Sequence, residues 1–231
     1  MGGVPVVMQV LQAVAANPLQ RRIRRDKLTY LGYQKLRSLS RAAEAVREVP
    51  GCVIECGLAL GGSGIMLATE LPDRPFHGYD VFAMIPPPGP NDPAKAHDRY
   101  EVIASGRSEG LGGETYYGYV DDLFDRVSDS FARYGVPTGD RIHLHKGLFE
   151  DTLDPQWPVA LAHIDCDWYD PVKLCLERLT PWLSPGARVI LDDYSDYGGA
   201  KKATDEHVAA HSGFSVERDA GHRVLVYKPR A

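Results

Sequence analysis

Residues 51–71, GCVIECGLALGGSGIMLATEL, decide the architecture. CVIEC at 52–56 is a short, almost wholly apolar run of the kind that forms a buried strand. GLALGGSG follows as a glycine-rich turn, and IMLATEL reads as the start of a helix. FHGYDVF, about 25 residues after the first strand, supplies a second one, so the unit is strand–turn–helix–strand. Upstream, LRSLSRAAEAVREV at 36–49 places Leu36, Leu39, Ala43 and Val46 at three- and four-residue spacing, one apolar stripe on a helix that Pro50-Gly51 ends. Residues 1–50 are therefore expected to form an N-terminal helical segment.

Downstream the same alternation resumes. A helix is predicted over 119–135, strands at 141–145 and 159–166, a helix at 170–183 and a strand at 187–192. Strand–helix alternation predicts an α/β fold, a doubly wound and mostly parallel sheet covered on both faces. The pattern breaks at FSVERDAGHRVLVYK, 214–228, where two alternating runs flank Asp219-Ala220-Gly221. That is a hairpin signal, and the last strand should run antiparallel to its predecessor. With no internal repeat and no long linker, residues 1–231 are expected to be a single domain.

Between 86 and 119 the texture differs: five prolines and six glycines fall within 34 residues. A continuous helix or strand is not expected there. Tyr100, Tyr116, Tyr117 and Tyr119 add aromatic surface that a disordered loop usually lacks, so the segment is predicted to be an active-site lid.

The 231 residues carry 26 Lys+Arg against 31 Asp+Glu, a net charge of −5, which gives no positive field for nucleic acid. No stretch approaches the 18 or so apolar residues of a membrane span, and the apolar run at 1–16 has no basic residue ahead of it, so a cytoplasmic protein without a membrane partner is expected. Cys52, Cys56, Cys166 and Cys175 sit in apolar segments and are expected to be buried free thiols. His143 and His145 share one strand face and read as packed histidines, and Lys201-Lys202 as a solvated helix start.

Two constellations carry chemistry. Gly57-x3-Gly61-Gly62-x-Gly64 matches neither the G-x-G-x-x-G dinucleotide fingerprint nor a phosphate-binding GK[ST] loop. It does place Glu55 at a strand end before a small-residue turn that a ligand can approach closely, and Asp80 at the tip of the second strand, where ribose hydroxyls are usually held. The second constellation is Asp165-Cys166-Asp167 closing one strand and Asp192-Asp193 closing the next. Converging carboxylates repel unless a cation neutralises them, so Asp165, Asp192 and Asp193 are a candidate Mg²⁺ triad, while Asp167 and Asp170 are expected to cap or to position neighbours.

GCVIECGLALGGSG, the acid in YDVF, KGLFEDTL, HIDCDWYDP, LSPGARVILDDY and GGAKKATDEH together resemble the macrocin O-methyltransferase family over roughly residues 28–207. The ordered strand-end motifs DxDxY and DDY are the most specific part. The resemblance implies a class I methyltransferase fold, S-adenosylmethionine in the glycine turn with Glu55, Gly57, Ser63 and Asp80 as its contacts, and Mg²⁺ on Asp165, Asp192 and Asp193. It further implies methylation of a hydroxyl, typically on a sugar of a secondary metabolite, and so a small-molecule acceptor; a homodimer is also expected. The chain departs from the family pattern at Cys166, where glycine is common, and in the segment 85–119. Asp165 is the first candidate for the base that takes the hydroxyl proton, ahead of His97. The alternatives are an NAD-dependent oxidoreductase, which the broken fingerprint and terminal hairpin disfavour, and a non-catalytic ligand-binding protein, which would not need three gathered acids.

Overall fold

The computed structural model describes residues 16–229. Helix α1 (Pro18–Arg25) opens with a capping box: the Asn17 side chain accepts the Gln20 N–H at 2.8 Å, and the Gln20 side chain accepts the Asn17 N–H at 3.3 Å. The apolar stripe becomes α2 (Tyr33–Ala45), whose Leu36, Leu39 and Ala43 are buried together with Val46, the residue that caps it. The helix therefore stops short of Pro50-Gly51. The expected helical segment at 1–50 is thus two helices where it is described, and its residues 1–15 lie outside the described residues.

Strand β1 (Cys52–Cys56) is buried throughout, and α3 (Gly62–Glu70) begins at Gly62, three residues earlier than IMLATEL suggested. After β2 (Phe76–Asp80) comes α4 (Ala94–Ala104), an 11-residue helix inside the segment where none was expected. The physical reason is local. The prolines stop at Pro93, which occupies the N-cap position, and AKAHDRYEVIA contains neither proline nor glycine. There follow α5 (Leu123–Arg133), β3 (Ile142–Lys146), the single turn α6 (Phe149–Thr152), β4 (Val159–Ile164), α7 (Tyr169–Leu179), β5 (Leu183–Leu191) and α8 (Gly199–Ala210). The terminal hairpin is β6 (Phe214–Asp219) and β7 (His222–Tyr227).

The seven strands pair in the order β3-β2-β1-β4-β5-β7-β6. The first five run parallel, and β7 lies antiparallel to both β5 and β6. Ala220 and Gly221, with φ of 52° and 96°, form a two-residue turn with both residues in the left-handed region, the conformation whose twist matches that of hairpin strands. Alternate strand residues feed two cores. Val53, Leu161, Ile190 and Val224 pack under α2, α3 and α5, while Ile54, Ala162, Val189 and Leu225 pack against α7 and α8. Each fully buried Leu or Ile contributes about 1.5–3 kcal/mol. The four cysteines are free and buried, as expected. No helix among the described residues is long and apolar enough to cross a membrane.

Candidate active site

Strand order reverses between β1 and β4, and a cavity of about 630 Å³ opens at the carboxyl ends of the strands on either side of that point. Gly57, Ala59, Asp80, Asp165, Asp192 and Asp193 line it. Three non-glycine residues hold left-handed backbone conformations just beyond the strand ends: Ala59 (φ 45°) after β1, Phe82 (φ 49°) after β2 and Asp167 (φ 58°) after β4. Such conformations cost about 1–3 kcal/mol each and cluster where a site is being shaped. A shallower depression of about 830 Å³ lies at the opposite ends of β1 and β2, beside His77, His143 and Trp157, but its acids Glu48 and Asp73 are exposed surface residues.

Asp80 ends β2 facing this cavity. Its Oδ2 accepts the Ala59 N–H at 2.9 Å and its Oδ1 the Phe82 N–H at 2.6 Å, while burial pushes its carboxyl above the ordinary range. Gly57 also lines the cavity, yet its lack of a side chain is required by the chain itself. A Cβ there would sit 1.8 Å from the Asp165 carbonyl oxygen, at φ +94°. Ser63, buried in the first turn of α3, and Glu55, fully buried within β1, do not line the cavity. Glu55 instead faces His163, whose Nδ1 is 2.7 Å from its Oε1.

Asp165, Asp192 and Asp193 converge so that one carboxylate oxygen from each lies within 4.8 Å of the others. Burial, then the charges of Asp192, Asp193 and Asp167, pushes the Asp165 carboxyl well above its usual range, and Asp193 is raised by burial, Asp167 and Asp192. Asp167 is pushed to about 7 by burial and Asp192. Asp192 differs. Burial pushes it up, but the His222 hydrogen bond and the Lys35 charge hold it at about 2. Lys35 Nζ donates to Asp192 Oδ2 at 2.6 Å, and His222 Nε2 stands 2.7 Å from Oδ1. Three carboxylates offering hard oxygen ligands around one compensating ammonium fit a divalent ion such as Mg²⁺.

Of the two roles expected for Asp167 and Asp170, capping or positioning neighbours, capping of α7 falls to neither. The Tyr169 N–H donates instead to Asp92 Oδ1 at 2.8 Å, and Asp92 Oδ2 accepts the Gly89 N–H at 3.0 Å, so an acid of the 86–119 segment caps the helix and ties the segment to it. Asp167 and Asp170 both line the cavity. The Trp168 indole N–H holds the Pro86 carbonyl at 3.0 Å. Of the four tyrosines in the segment, Tyr116 and Tyr117 wall the cavity while Tyr100 and Tyr119 do not; His97 is exposed and outside it. His143 and His145 stack on His77, with ring centroids at 4.7 and 5.4 Å, as packed histidines. Lys201 and Lys202 are exposed near the start of α8, paired with Asp205 and Asn91.

The sequence reading missed Tyr30, Lys35, Arg99 and Tyr197, all of which line the cavity, and His222, which touches Asp192. Lys35 alone left a trace, a lysine one position before the apolar stripe of α2.

A family model described as Macrocin-O-methyltransferase (TylF) matches residues 19–213. The 8-demethyl-8-(2,3-dimethoxy-alpha-L-rhamnosyl)-tetracenomycin-C 4'-O-methyltransferase of Streptomyces olivaceus is 31% identical over 176 residues, covering 72% of this chain and 62% of that enzyme. The chain thus spans less than two thirds of that relative's length. The demethyldecarbamoylnovobiocin O-methyltransferase of Streptomyces niveus is 29% identical over 210 residues, 83% of this chain and 73% of that one. The solved structure of the O-methyltransferase NovP is similar in fold, with a TM-score of 0.72 over 87% of this chain and 83% of that chain at 23% identity.

Proposed function

Because the chain belongs to the macrocin-O-methyltransferase family, we propose that it transfers a methyl group from S-adenosylmethionine to a hydroxyl on the sugar of a natural product, with Mg²⁺ as a required ion. The observation that carries this reading is one cavity holding both Asp80 at the tip of β2 and the convergent Asp165, Asp192 and Asp193. The relatives' names, which specify antibiotic O-methylation, support the acceptor class. Family membership also favours methyl transfer over a nicotinamide-dependent reaction.

When bound, S-adenosylmethionine supplies an activated methyl group and Mg²⁺ the positive charge that favours an ionised hydroxyl. Asp80, at the cavity's β2 side, would accept the ribose hydroxyls, and Gly57 lets β1 and β4 close together there. Asp165, Asp192 and Asp193 would hold the ion, and Lys35 keeps Asp192 ionised in its absence. Asp165 takes the acceptor's proton on a side-chain oxygen, a role its position in the cavity beside the ion site allows. Tyr116, Tyr117 and Pro86 wall the site against water. Asp167 is the second candidate base, favoured by its carboxyl at about 7.

The test is methyl transfer to a glycosylated acceptor by chelator-treated wild type and by Asp192→Ala, alongside S-adenosylmethionine binding. Binding retained with transfer reduced by a few orders of magnitude supports the reading. Full transfer in both would remove the metal. The acid limb of the rate profile in Asp165→Asn and Asp167→Asn identifies the base.

A further inference from the structure

Beside the three carboxylates lies a second group, which shares Asp192 with them and adds two histidines that the methyl-transfer scheme leaves unused. One ligand atom each from His163, Asp192 and His222 lies within 4.8 Å of the others, and all three residues are buried. They come from β4, the end of β5 and the start of β7. Glu55 sits opposite His163 in the β1–β4 register, and Ser38 projects from α2 onto His222.

One ring nitrogen is left over. His163 Nδ1 donates to Glu55 Oε1 at 2.7 Å, so Nε2 of the neutral ring carries a lone pair, and this buried atom has no hydrogen-bond partner. His222 Nε2 lies 2.7 Å from Asp192 Oδ1 and its Nδ1 2.9 Å from the Ser38 hydroxyl, which can accept as well as donate, so this ring can turn its Nε2 lone pair to an ion while Nδ1 donates to Ser38. A proton on His222 Nε2 satisfies Asp192 and leaves His163 bare. A cation shared by the three would serve His163 as well.

We propose that His163, His222 and Asp192 form a second metal site, for a divalent transition ion of borderline softness such as Zn²⁺. Two imidazoles and one carboxylate select such an ion over Mg²⁺. Glu55 fixes the tautomer of His163 and Ser38 can accept from His222 Nδ1 once its Nε2 faces an ion, which is the part that outer partners of metal-bound histidines play. Asp192 serves both centres with different oxygens, Oδ1 toward His222 and Oδ2 toward Lys35 and the cavity.

Co²⁺ is the probe, titrated into the full chain, freed of metal, under excess Mg²⁺. One equivalent should bind with the visible absorption of an imidazole-ligated ion. His163→Gln and His222→Gln should abolish that signal, and Glu55→Gln, which keeps the side chain's size, should weaken binding by about 10–100-fold. Asp165→Asn, which disables only the three-carboxylate centre, should leave it intact, so failure here and failure of the Mg²⁺ reading are separable. No Co²⁺ signal in the folded wild type, or a signal that survives both histidine variants, would overturn the site in favour of a buried water or a protonated His222. If a histidine variant does not fold, Glu55→Gln decides: unchanged affinity there also overturns it.

Discussion

Replacing Lys35 with methionine would keep the aliphatic stem and remove the ammonium from Asp192 Oδ2, 2.6 Å away. The lysine side chain is 25% exposed and that of Asp192 6%, so the pair is mostly shielded from water. At an effective dielectric constant of about 20, unit charges about 4 Å apart attract by about 4 kcal/mol. Desolvation offsets part of that, but the variant also leaves the buried Asp192 carboxylate without its cation, so a net loss of about 2 kcal/mol is expected in the metal-free protein. For a chain of this size that lowers Tm by about 4–8 °C. The same change should tighten Mg²⁺ binding by about tenfold, because the ammonium no longer competes for Oδ2, a gain of about 1.4 kcal/mol. Saturating Mg²⁺ should therefore close most of the Tm gap. Calorimetric scans of both proteins in chelator and in Mg²⁺ measure this directly. Equal Tm values in chelator, or a deficit that Mg²⁺ leaves untouched, would refute the view that Lys35 stands in for positive charge at a metal centre.

Asp80→Ala should weaken S-adenosylmethionine binding by about 1–3 kcal/mol, read by titration calorimetry; unchanged affinity would remove Asp80 from the cofactor site. Gly57→Ala should destabilise the fold by at least about 3 kcal/mol, because the new methyl meets the Asp165 carbonyl at 1.8 Å in a positive-φ conformation. An unshifted denaturation midpoint would contradict that. His77 and His207 are held at about 4, His77 by burial and then by His143 and His145, His207 by burial and then by His211. Each folded value lies below the unfolded value of about 6.5, so the stability at stake is fully present above pH of about 6.5 and is lost as pH falls toward 4. Tm should drop across that window, less steeply in His77→Gln, and parallel curves for the two proteins would exclude His77 as a contributor.

What the sequence disclosed follows from how locally each feature is encoded. CVIEC and VALAHI read as strands because apolar runs between glycine and proline stops need no tertiary information. Helix α4 was hidden because the composition of 86–119 was averaged over its length, whereas the breakers fall outside 94–104. The acid triad was legible because Asp165 and the Asp192-Asp193 pair each come immediately after a strand. Glu55 was misplaced: its position near the end of β1 suggested a cavity residue, but its partner is His163, 108 positions away, under a helix. Lys35 and His222 meet at Asp192 from α2 and β7, and no spacing in the chain records that three-way approach.

The two-residue turn at Ala220-Gly221 has a consequence in register. Parallel strands bring their last residues to the cavity edge, but β7 runs the other way and brings its first, so His222 reaches Asp192 directly after the turn. A strand's side chains alternate in direction, so a one-residue slip of β7 against β5 would turn His222 to the opposite face and put Arg223 in its place. The identity of the group beside Asp192 is therefore set by the register of β7 on β5. A change at 220–221 that carried β7 along by one residue would rewrite the chemistry of a buried centre while leaving the five parallel strands as they are.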